Sequence, residues 1–309
     1  MPVPKLSRRH AMLTAAALPL AAMLPRGANA SAAMLGSAGA GFNRFRLGSF
    51  EVTTLLAGSS IAENPNQMFG LNVSPEEFAA AAAANFIPVD MAQFVFSPTV
   101  VNIGAELVLF DTGLNPEGIT AALAAAGYAP DQVDVVVLTH MHGDHIGGLA
   151  GEAGPTFANA RIVTGAVEHN HWMGAGNEGF DRLVRPLNDK ITFVDDGGSV
   201  AGGITAMAAF GHSPGHMGYV IESGGARVVI TADTANHFVW SLGYPDWEVK
   251  FDMDKAAAAA ARRQVFGMLA ADRVPFIGYH MPFPSLGFVE AQGEGFRYVP
   301  ASYQMALNG

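Results

Sequence analysis

Thr139-His140-Met141-His142-Gly143-Asp144-His145 follows directly on Gln132-Val133-Asp134-Val135-Val136-Val137-Leu138. The nearly unbroken apolar run from Gln132 to Thr139 reads as a strand covered on both faces. At its end, three imidazoles and one carboxylate fall within six residues. These donors suit zinc, and also iron or manganese. Four such side chains so close together do not easily serve one tetrahedral ion, whereas two neighbouring ions divide them comfortably. A surface loop that happens to be rich in histidine is the plainer alternative. It is disfavoured because unpaired His and Asp at the end of a buried strand would be costly.

Working outward, residues 44–57 alternate enough for a hairpin or paired strands. Ser74-Pro75-Glu76-Glu77 opens an alanine-rich helix, with Ser74 as N-cap and Pro75 at its first position. Residues 98–110 suggest two short strands around Gly104, ending at Asp111-Thr112-Gly113. Asn115-Pro116-Glu117 caps a helix that closes near Gly127. Further strands are expected at 161–164, 191–194, 204–209, 217–222 and 227–231, with Ser223-Gly224-Gly225 as a turn. Asp254 to Leu269 reads as a helix, and Arg273 to Tyr279 as a strand ending at His280. Strands and helices mixed throughout predict a sheet-rich α/β protein.

The order His-x-His-x-Asp-His over His140–His145 resembles the metal-binding motif of the metallo-β-lactamase superfamily. Gly211-His212-Ser213-Pro214-Gly215-His216 is similar to that fold's second histidine motif, in which the first His is the ligand. Thr231-Ala232-Asp233-Thr234 resembles the segment with the bridging aspartate, Gly278-Tyr279-His280 the final histidine, and Asp111-Thr112-Gly113 the early Asp-x-Gly motif. The ends resemble methyl parathion hydrolase and its lactonase-like relatives, through Gly41-Phe42 to Val52-Thr53, Pro282 to Gly287 and Gly295 to Pro300. Two departures stand out. Phe288 occupies a position where those relatives usually carry His. The loop after Asp111-Thr112-Gly113 is also shorter than theirs.

The resemblance implies a four-layer αββα sandwich, classed α/β, or α+β in some schemes. It implies two divalent metal ions, zinc first, with manganese, cobalt or iron as substitutes. His140, His142 and His212 would hold one ion; Asp144, His145 and His280 the other; Asp233 would bridge them. Two such ions share a hydroxide of lowered pKa that attacks a carbonyl or phosphorus, while the second ion stabilises the oxyanion. Asp144 or Asp233 would serve in proton transfer. Asp111 would orient a ligand histidine. Trp172, Phe180, His237 and Phe238 are candidates for the substrate pocket. His216, His169 and His171 read as structural rather than ligating.

Composition narrows the substrate. Only 14% of the 309 residues are charged, and the net charge is −10. Without Lys5, Arg8, Arg9 and Arg26, 13 basic residues face 27 acids. An acidic body argues against nucleic acid, whose phosphates call for clustered Lys and Arg. Cysteine is absent, so thiolate ligands and a cysteine nucleophile are excluded. Residues 1–30 combine a basic start, an apolar run from Ala11 to Leu24 and Ala28-Asn29-Ala30. They read as a signal peptide with a twin-arginine pair at Arg8-Arg9, a Sec signal being second choice. The apolar run is too short to span a bilayer comfortably. Periplasmic or secreted placement follows, with a flexible lead-in at 31–43 and one domain at 44–309. The expected substrate is a small neutral lactone or ester, with phosphotriesters as a secondary reaction. A glyoxalase II-like thioesterase or an iron-dependent redox role are the alternatives. A homodimer is compatible with the resemblance, since the relatives are often dimeric.

Overall fold

The Val135–Leu138 strand that precedes the histidine motif is buried along its whole length. In the computed structural model, which describes residues 39–308, its side chains alternate between two cores. Val135 and Val137 join one apolar cluster, and Val136 and Leu138 join another. That alternation is why the run is apolar throughout. The signal peptide expected over 1–30, and the lead-in as far as residue 38, lie outside the described residues. Among the described residues, no helix is long and apolar enough to cross a membrane.

Two seven-stranded sheets face each other. The first runs Phe42–Leu47, Phe50–Leu55, Thr99–Asn102, Leu107–Phe110, Val135–Leu138, Arg161–Gly165, Ile191–Val194. Its first three pairings are antiparallel and its last three parallel. The second runs Ser199–Ala201, Ile204–Ala208, Met217–Ser223, Ala226–Ala232, Phe276–Gly278, Leu286–Gln292, Gly295–Pro300. There only Ala226–Ala232 and Phe276–Gly278 pair in parallel.

The layers follow from which face each strand buries. Phe45, Val101 and Val137 of the first sheet meet Tyr219, Ile221 and Ile230 of the second in the inter-sheet core. The outer face of the first sheet packs Leu109 and Val136 against Ile119 and Leu123 of the Pro116–Ala125 helix. The outer face of the second packs Val229 and Phe276 against Val265, Phe266 and Leu269 of the Lys255–Asp272 helix. This is the expected αββα order, with helices on both outsides.

Capping fixes where the helices start. The side chains of Ser74, Asn115 and Asp254 accept from the backbone N–H groups of Glu77, Gly118 and Ala257, and proline stands first in the helices at Pro75 and Pro116. Three expected elements differ in extent: the Gln132–Thr139 strand is confined to Val135–Leu138, the last parallel strand to Phe276–Gly278, and the helix expected to end at Leu269 runs on to Asp272. Two features were not anticipated. The hairpin of Gly58–Glu63 with Met91–Phe96 packs with the Pro75–Ala84 helix and the stretch around Trp240 and Trp247. Leu286–Gln292 and Gly295–Pro300 close the second sheet as another hairpin. His169 and His171 sit on a helix, Ala166–Ala175.

Parallel strands send their carboxyl ends the same way, and ligands of α/β sheets collect outside those ends. Here the ends after Phe110, Leu138, Ala232 and Gly278 deliver Asp111, His140–His145, Asp233 and His280.

Candidate metal centre

All seven expected ligand residues converge. Three overlapping groups bring donor atoms within 4.8 Å of one another: His140, His142 and His212; His140, His145 and Asp233; Asp144, His145 and His280. In the first, His212 Nε2 lies 3.2 Å from His140 Nε2 and 2.9 Å from His142 Nδ1. In the last, Asp144 Oδ2 lies 3.6 Å from His145 Nε2 and 3.3 Å from His280 Nε2. Asp233 stands between them. Its Oδ1 is 3.3 Å from His145 Nε2, and its Oδ2 is 3.3 Å from His212 Nε2 and 3.2 Å from His280 Nε2. A carboxylate whose oxygens reach ligands of both sets has the geometry of a shared ligand.

Metal is the chemistry this donor set fits. His145 Nε2 and Asp233 Oδ1 are buried without a hydrogen-bond partner among the described residues. Such orphaned groups are costly unless something takes their lone pairs. Nitrogen and carboxylate oxygen are zinc-type donors, and the overlapping groups form a binuclear site for divalent ions.

The outward nitrogens of the same rings are held. His145 Nδ1 is 2.8 Å from Asp111 Oδ2. Asp111 also accepts from the Thr139 N–H and hydroxyl, both at 2.9 Å. His212 Nδ1 is 2.9 Å from Asp252 Oδ1, and His280 Nδ1 is 2.9 Å from the Val95 carbonyl. A proton on each of these nitrogens leaves Nε2 free to ligate. Burial pushes His140 well below its ordinary range, helped by His145 and His142. Burial, together with His212, lowers His142 to about 4. Both are therefore neutral at physiological pH, the form that ligates. Burial works against charge on His145 and His280 too. There the carboxylates outweigh it: Asp233 and Asp111 hold His145 well above its usual value, and Asp233 with Asp144 holds His280 at about 10. Burial disfavours the Asp144 carboxylate, yet His145 and His280 bring it down to about 2.

Several residues that sequence reasoning missed build this frame. Glu168 is fully buried. Its Oε1 accepts from the Met141 N–H at 3.0 Å and the Trp172 indole at 2.6 Å. Its Oε2 accepts from the Ser213 hydroxyl at 2.7 Å and the Gly215 N–H at 2.8 Å. One carboxylate thus ties the His140–His142 loop to the His212–Gly215 loop. Glycine is required at 215, because a Cβ there would stand 2.2 Å from the Glu168 nitrogen. Tyr279 lies over the His145 ring at 3.9 Å between centroids and donates its hydroxyl to the Asp144 carbonyl at 2.5 Å. His216 has both ring nitrogens engaged, Nδ1 with the Ala209 carbonyl and Nε2 with the Asp233 N–H, so it holds the backbone and does not ligate.

A cavity of about 570 Å³ opens onto His142, Asp144, Asp233 and His280. Ala62, Met68, Phe94, Phe96, Leu114 and Phe251 form its apolar walls, and among the described residues no lysine or arginine lines it. The expected pocket residues are corrected here, since none of the four lines this cavity. Phe180 is fully buried in the outer core of the first sheet. Trp172 packs in the same core, its indole spent on Glu168. His237 is stacked on Trp240 at 4.2 Å, and its Nδ1 accepts from two backbone N–H groups. Phe238 lines a different hollow, beside Tyr244 and Arg263. Proximity to Asp233 misled for His237 and Phe238, and aromatic character for Trp172 and Phe180, since both kinds of residue pack into the cores instead. Phe288 pairs with Val299 and packs against the inter-sheet core, away from the cavity.

The family model described as the metallo-beta-lactamase superfamily matches residues 97–275. An N-acyl homoserine lactonase from Bacillus thuringiensis is 28% identical over 118 residues, 38% of this chain and 44% of that relative. The chain therefore matches less than half the length of that curated relative. A ribonuclease Z from Nocardia farcinica is 40% identical over 83 residues, 26% of this chain and 24% of the relative. Among solved structures, AidC, a dizinc quorum-quenching lactonase in complex with the product N-hexanoyl-L-homoserine, superposes with a TM-score of 0.79 at 26% identity, covering 85% of this chain and 98% of that one. Hydrolase AbOPH of the beta lactamase superfamily gives 0.78 at 23% identity, covering 87% and 100%, a likeness of fold. The likeness falls on lactonases rather than specifically on methyl parathion hydrolase.

Proposed function

The chain belongs to the metallo-beta-lactamase superfamily, and on that premise we propose that it is a dizinc hydrolase opening the ring of neutral lactones with an apolar acyl chain. The observation that carries this is the cavity. Its floor is the His–Asp cluster, its walls are apolar, and among the described residues no cationic side chain lines it. Beyond the metal floor its walls offer an anionic group no lysine or arginine, whereas an alkyl or acyl chain finds Met68, Phe94, Phe96 and Phe251. N-acyl homoserine lactones, the substrates named for the relatives, have this shape.

His140, His142 and His212 would hold one ion, and Asp144, His145 and His280 the other, with Asp233 shared. When bound, the ions supply Lewis acidity and lower the pKa of water towards neutrality. The protein's own part is positional. Asp111, Asp252 and the Val95 carbonyl fix three imidazoles with Nε2 inward. The apolar walls exclude bulk water and align the acyl chain. In the reaction, water adds to the ring carbonyl, the carbonyl carbon–ring oxygen bond breaks, and the leaving alkoxide takes up a proton. Asp144, the one ligand carboxylate that keeps partial solvent access, stands at the cavity floor to pass that proton on. The hydroxy acid product ionises at neutral pH, so each turnover releases one proton.

Proton release by the zinc-loaded protein, measured on γ- and δ-lactones, N-acyl homoserine lactones and methyl paraoxon, tests this. Lactone opening that disappears in His142→Ala is the expected result. Turnover of thioesters alone, or of no substrate in the panel at full zinc content, would overturn it. Turnover of methyl paraoxon beside the lactones would add the phosphotriester as a second electrophile.

A further inference from the structure

The segment Pro245–Asp254 sends two neighbouring side chains to opposite sides of the site. Phe251 stands on the cavity wall, edge-on to Phe94 with centroids 6.2 Å apart. Asp252, next in the chain, turns inward and meets His212 Nδ1 at 2.9 Å. One buried cation grips both ends of this segment. Arg262 donates through Nη1 and Nη2 to Asp252 Oδ2 at 2.9 and 2.6 Å, and through Nε to the Pro245 carbonyl at 3.1 Å. Lys255 adds two bonds of 3.0 Å, to the Val249 and Asp252 carbonyls. The main chain closes the joint: the Met253 and Asp254 N–H groups donate to the His212 and Gly211 carbonyls. Gly211 itself adopts φ +129°, and a Cβ there would stand 2.1 Å from the Ala258 nitrogen. The helix carrying Arg262 thus lies directly on the His212 loop.

Arg262 is 0% exposed and shares the buried face of its helix with Ala258, Val265, Phe266 and Leu269. A guanidinium in such a stripe is expensive to desolvate, and replacing a buried ion pair as a whole by apolar residues of similar volume often leaves stability equal or better. Stability alone therefore does not account for it; its contacts with one segment do. We propose that Arg262 is the positioning residue of the 245–254 segment, setting both the orientation of His212 in the metal centre and the place of Phe251 on the substrate wall. Affinity for one ion of the pair and recognition of the acyl chain are then governed by a single side chain that touches neither. This rests on the dizinc lactonase reading above.

The test compares Phe251→Ala, Asp252→Asn, Arg262→Met and Arg262→Lys with the wild type. Each protein is titrated with a chelator while bound zinc is counted, and kcat and KM are measured on N-acyl homoserine lactones from butanoyl to dodecanoyl. Asp252→Asn weakens one of the two zinc ions by about 10–100-fold and, because it loosens two of the three bonds through which Arg262 holds the segment, shifts the chain-length profile less than Arg262→Met does. Phe251→Ala keeps both ions and flattens the profile through KM. Arg262→Met shows both effects together, and Arg262→Lys shows both more weakly, since a point charge cannot replace the three-donor fork. A folded Arg262→Met that holds both zinc ions with wild-type affinity, or that discriminates chain lengths as the wild type does, overturns the proposal. If Arg262→Met does not fold, Arg262→Lys decides: a change in only one property, or in neither, is equally fatal. Failure of the wild type to bind two zinc ions or to open any lactone would instead sink the underlying reading, and it shows before any variant is compared.

Discussion

The two sides of the metal centre solve one problem by different means. On the side of the first sheet, His145 is oriented by Asp111, which stands at the end of Leu107–Phe110, the strand paired in parallel with Val135–Leu138. Asp111 accepts two further bonds from Thr139, and none of its side-chain partners is an arginine or lysine. On the side of the second sheet, His212 hangs on the loop between Ile204–Ala208 and Met217–Ser223, and the carboxylate at its outward nitrogen does not come from a strand end. Its partner Asp252 comes from a separate segment and is held by the wholly buried Arg262. Where sheet register already places strand ends side by side, a carboxylate and local hydrogen bonds suffice. Where a ligand lies off the sheet, a helix must bring in a cation. The first arrangement balances its charge against the metal centre, and the second carries its own counter-charge.

The harshest way to break the comparison is to remove the residue that both sides share. Asp233→Ala is expected to lose one ion and most turnover, beyond the ~100-fold that outer partners typically contribute. Zinc counting with steady-state kinetics checks it, and retention of two ions at full activity would sink the shared-ligand assignment. Next come the two partners themselves. Asp252→Asn and Asp111→Asn should each weaken their own ion by about 10–100-fold, but with different consequences for folding. Asp252→Asn leaves the Arg262 charge buried without its partner, at a cost of about 3–5 kcal/mol. In the double variant Asp252→Asn/Arg262→Met that orphaned charge is gone, so denaturant unfolding should show stability partly restored while zinc affinity stays low. Asp111→Asn strands no guanidinium and, with zinc bound at His145, should unfold closer to wild type. Equal losses of stability for the two single variants would erase the distinction.

The same contrast explains how much could be read from the sequence. His140, His142, Asp144 and His145 were legible because they are contiguous, and the strand before them is apolar on both faces. His212, Asp233 and His280 are far apart in the chain, and only their motif order marked them. Asp252 and Glu168 carry no such mark, since each is a lone acid whose partners are distant backbone groups, an indole or a guanidinium. Arg262 did leave a trace. It falls on the Ala258–Val265–Leu269 stripe of a helix whose period is plain, and a cation inside an apolar stripe demands a buried partner. The aromatic pocket residues failed for the opposite reason. Trp172, Phe180, His237 and Phe238 look alike whether they face a ligand or the core, and burial settles the matter only once the fold is known. The true wall comes from Phe94 and Phe96 on a hairpin that shows little hydrophobic alternation.

Glu168 offers a milder test, because it binds both sides together. Glu168→Gln replaces one acceptor oxygen by an NH2 that must face a donor, either the Met141 N–H and Trp172 indole or the Ser213 and Gly215 pair. Leaving a buried donor unpaired costs about 1–3 kcal/mol. The two histidine loops it ties carry His140, His142 and His212, ligands of the same ion, so that ion should weaken and the one at Asp144, His145 and His280 much less. Chelator titration reads this directly. Equal losses of both ions would show that Glu168 holds the whole His140–His145 loop rather than the joint between the two loops.

The smallest effect sharpens the comparison from outside the site. Arg263 follows Arg262 in the chain, and its guanidinium pairs with Asp246 at the surface, Nε to Oδ1 at 2.7 Å. The side chains are 41% and 62% exposed. The hydrogen bonds from Arg263 hold Asp246 below its usual range. The pair therefore stabilises the fold at neutral pH, and that contribution disappears as pH falls through the lowered folded value. Exposed to water and salt, it is worth at most about 1 kcal/mol. Asp246→Asn should lower the midpoint of thermal unfolding slightly at neutral pH and low ionic strength, and not at all in strong salt or once Asp246 is protonated. Zinc binding should be untouched in every condition. Asp252→Asn should show the reverse pattern, a large loss that salt does not relieve, because no ions reach a pair with both side chains buried. Two adjacent arginines on one helix, each paired with an aspartate of the same segment, then differ above all in burial. If salt moved both variants alike, burial would not be what sets Arg262 apart.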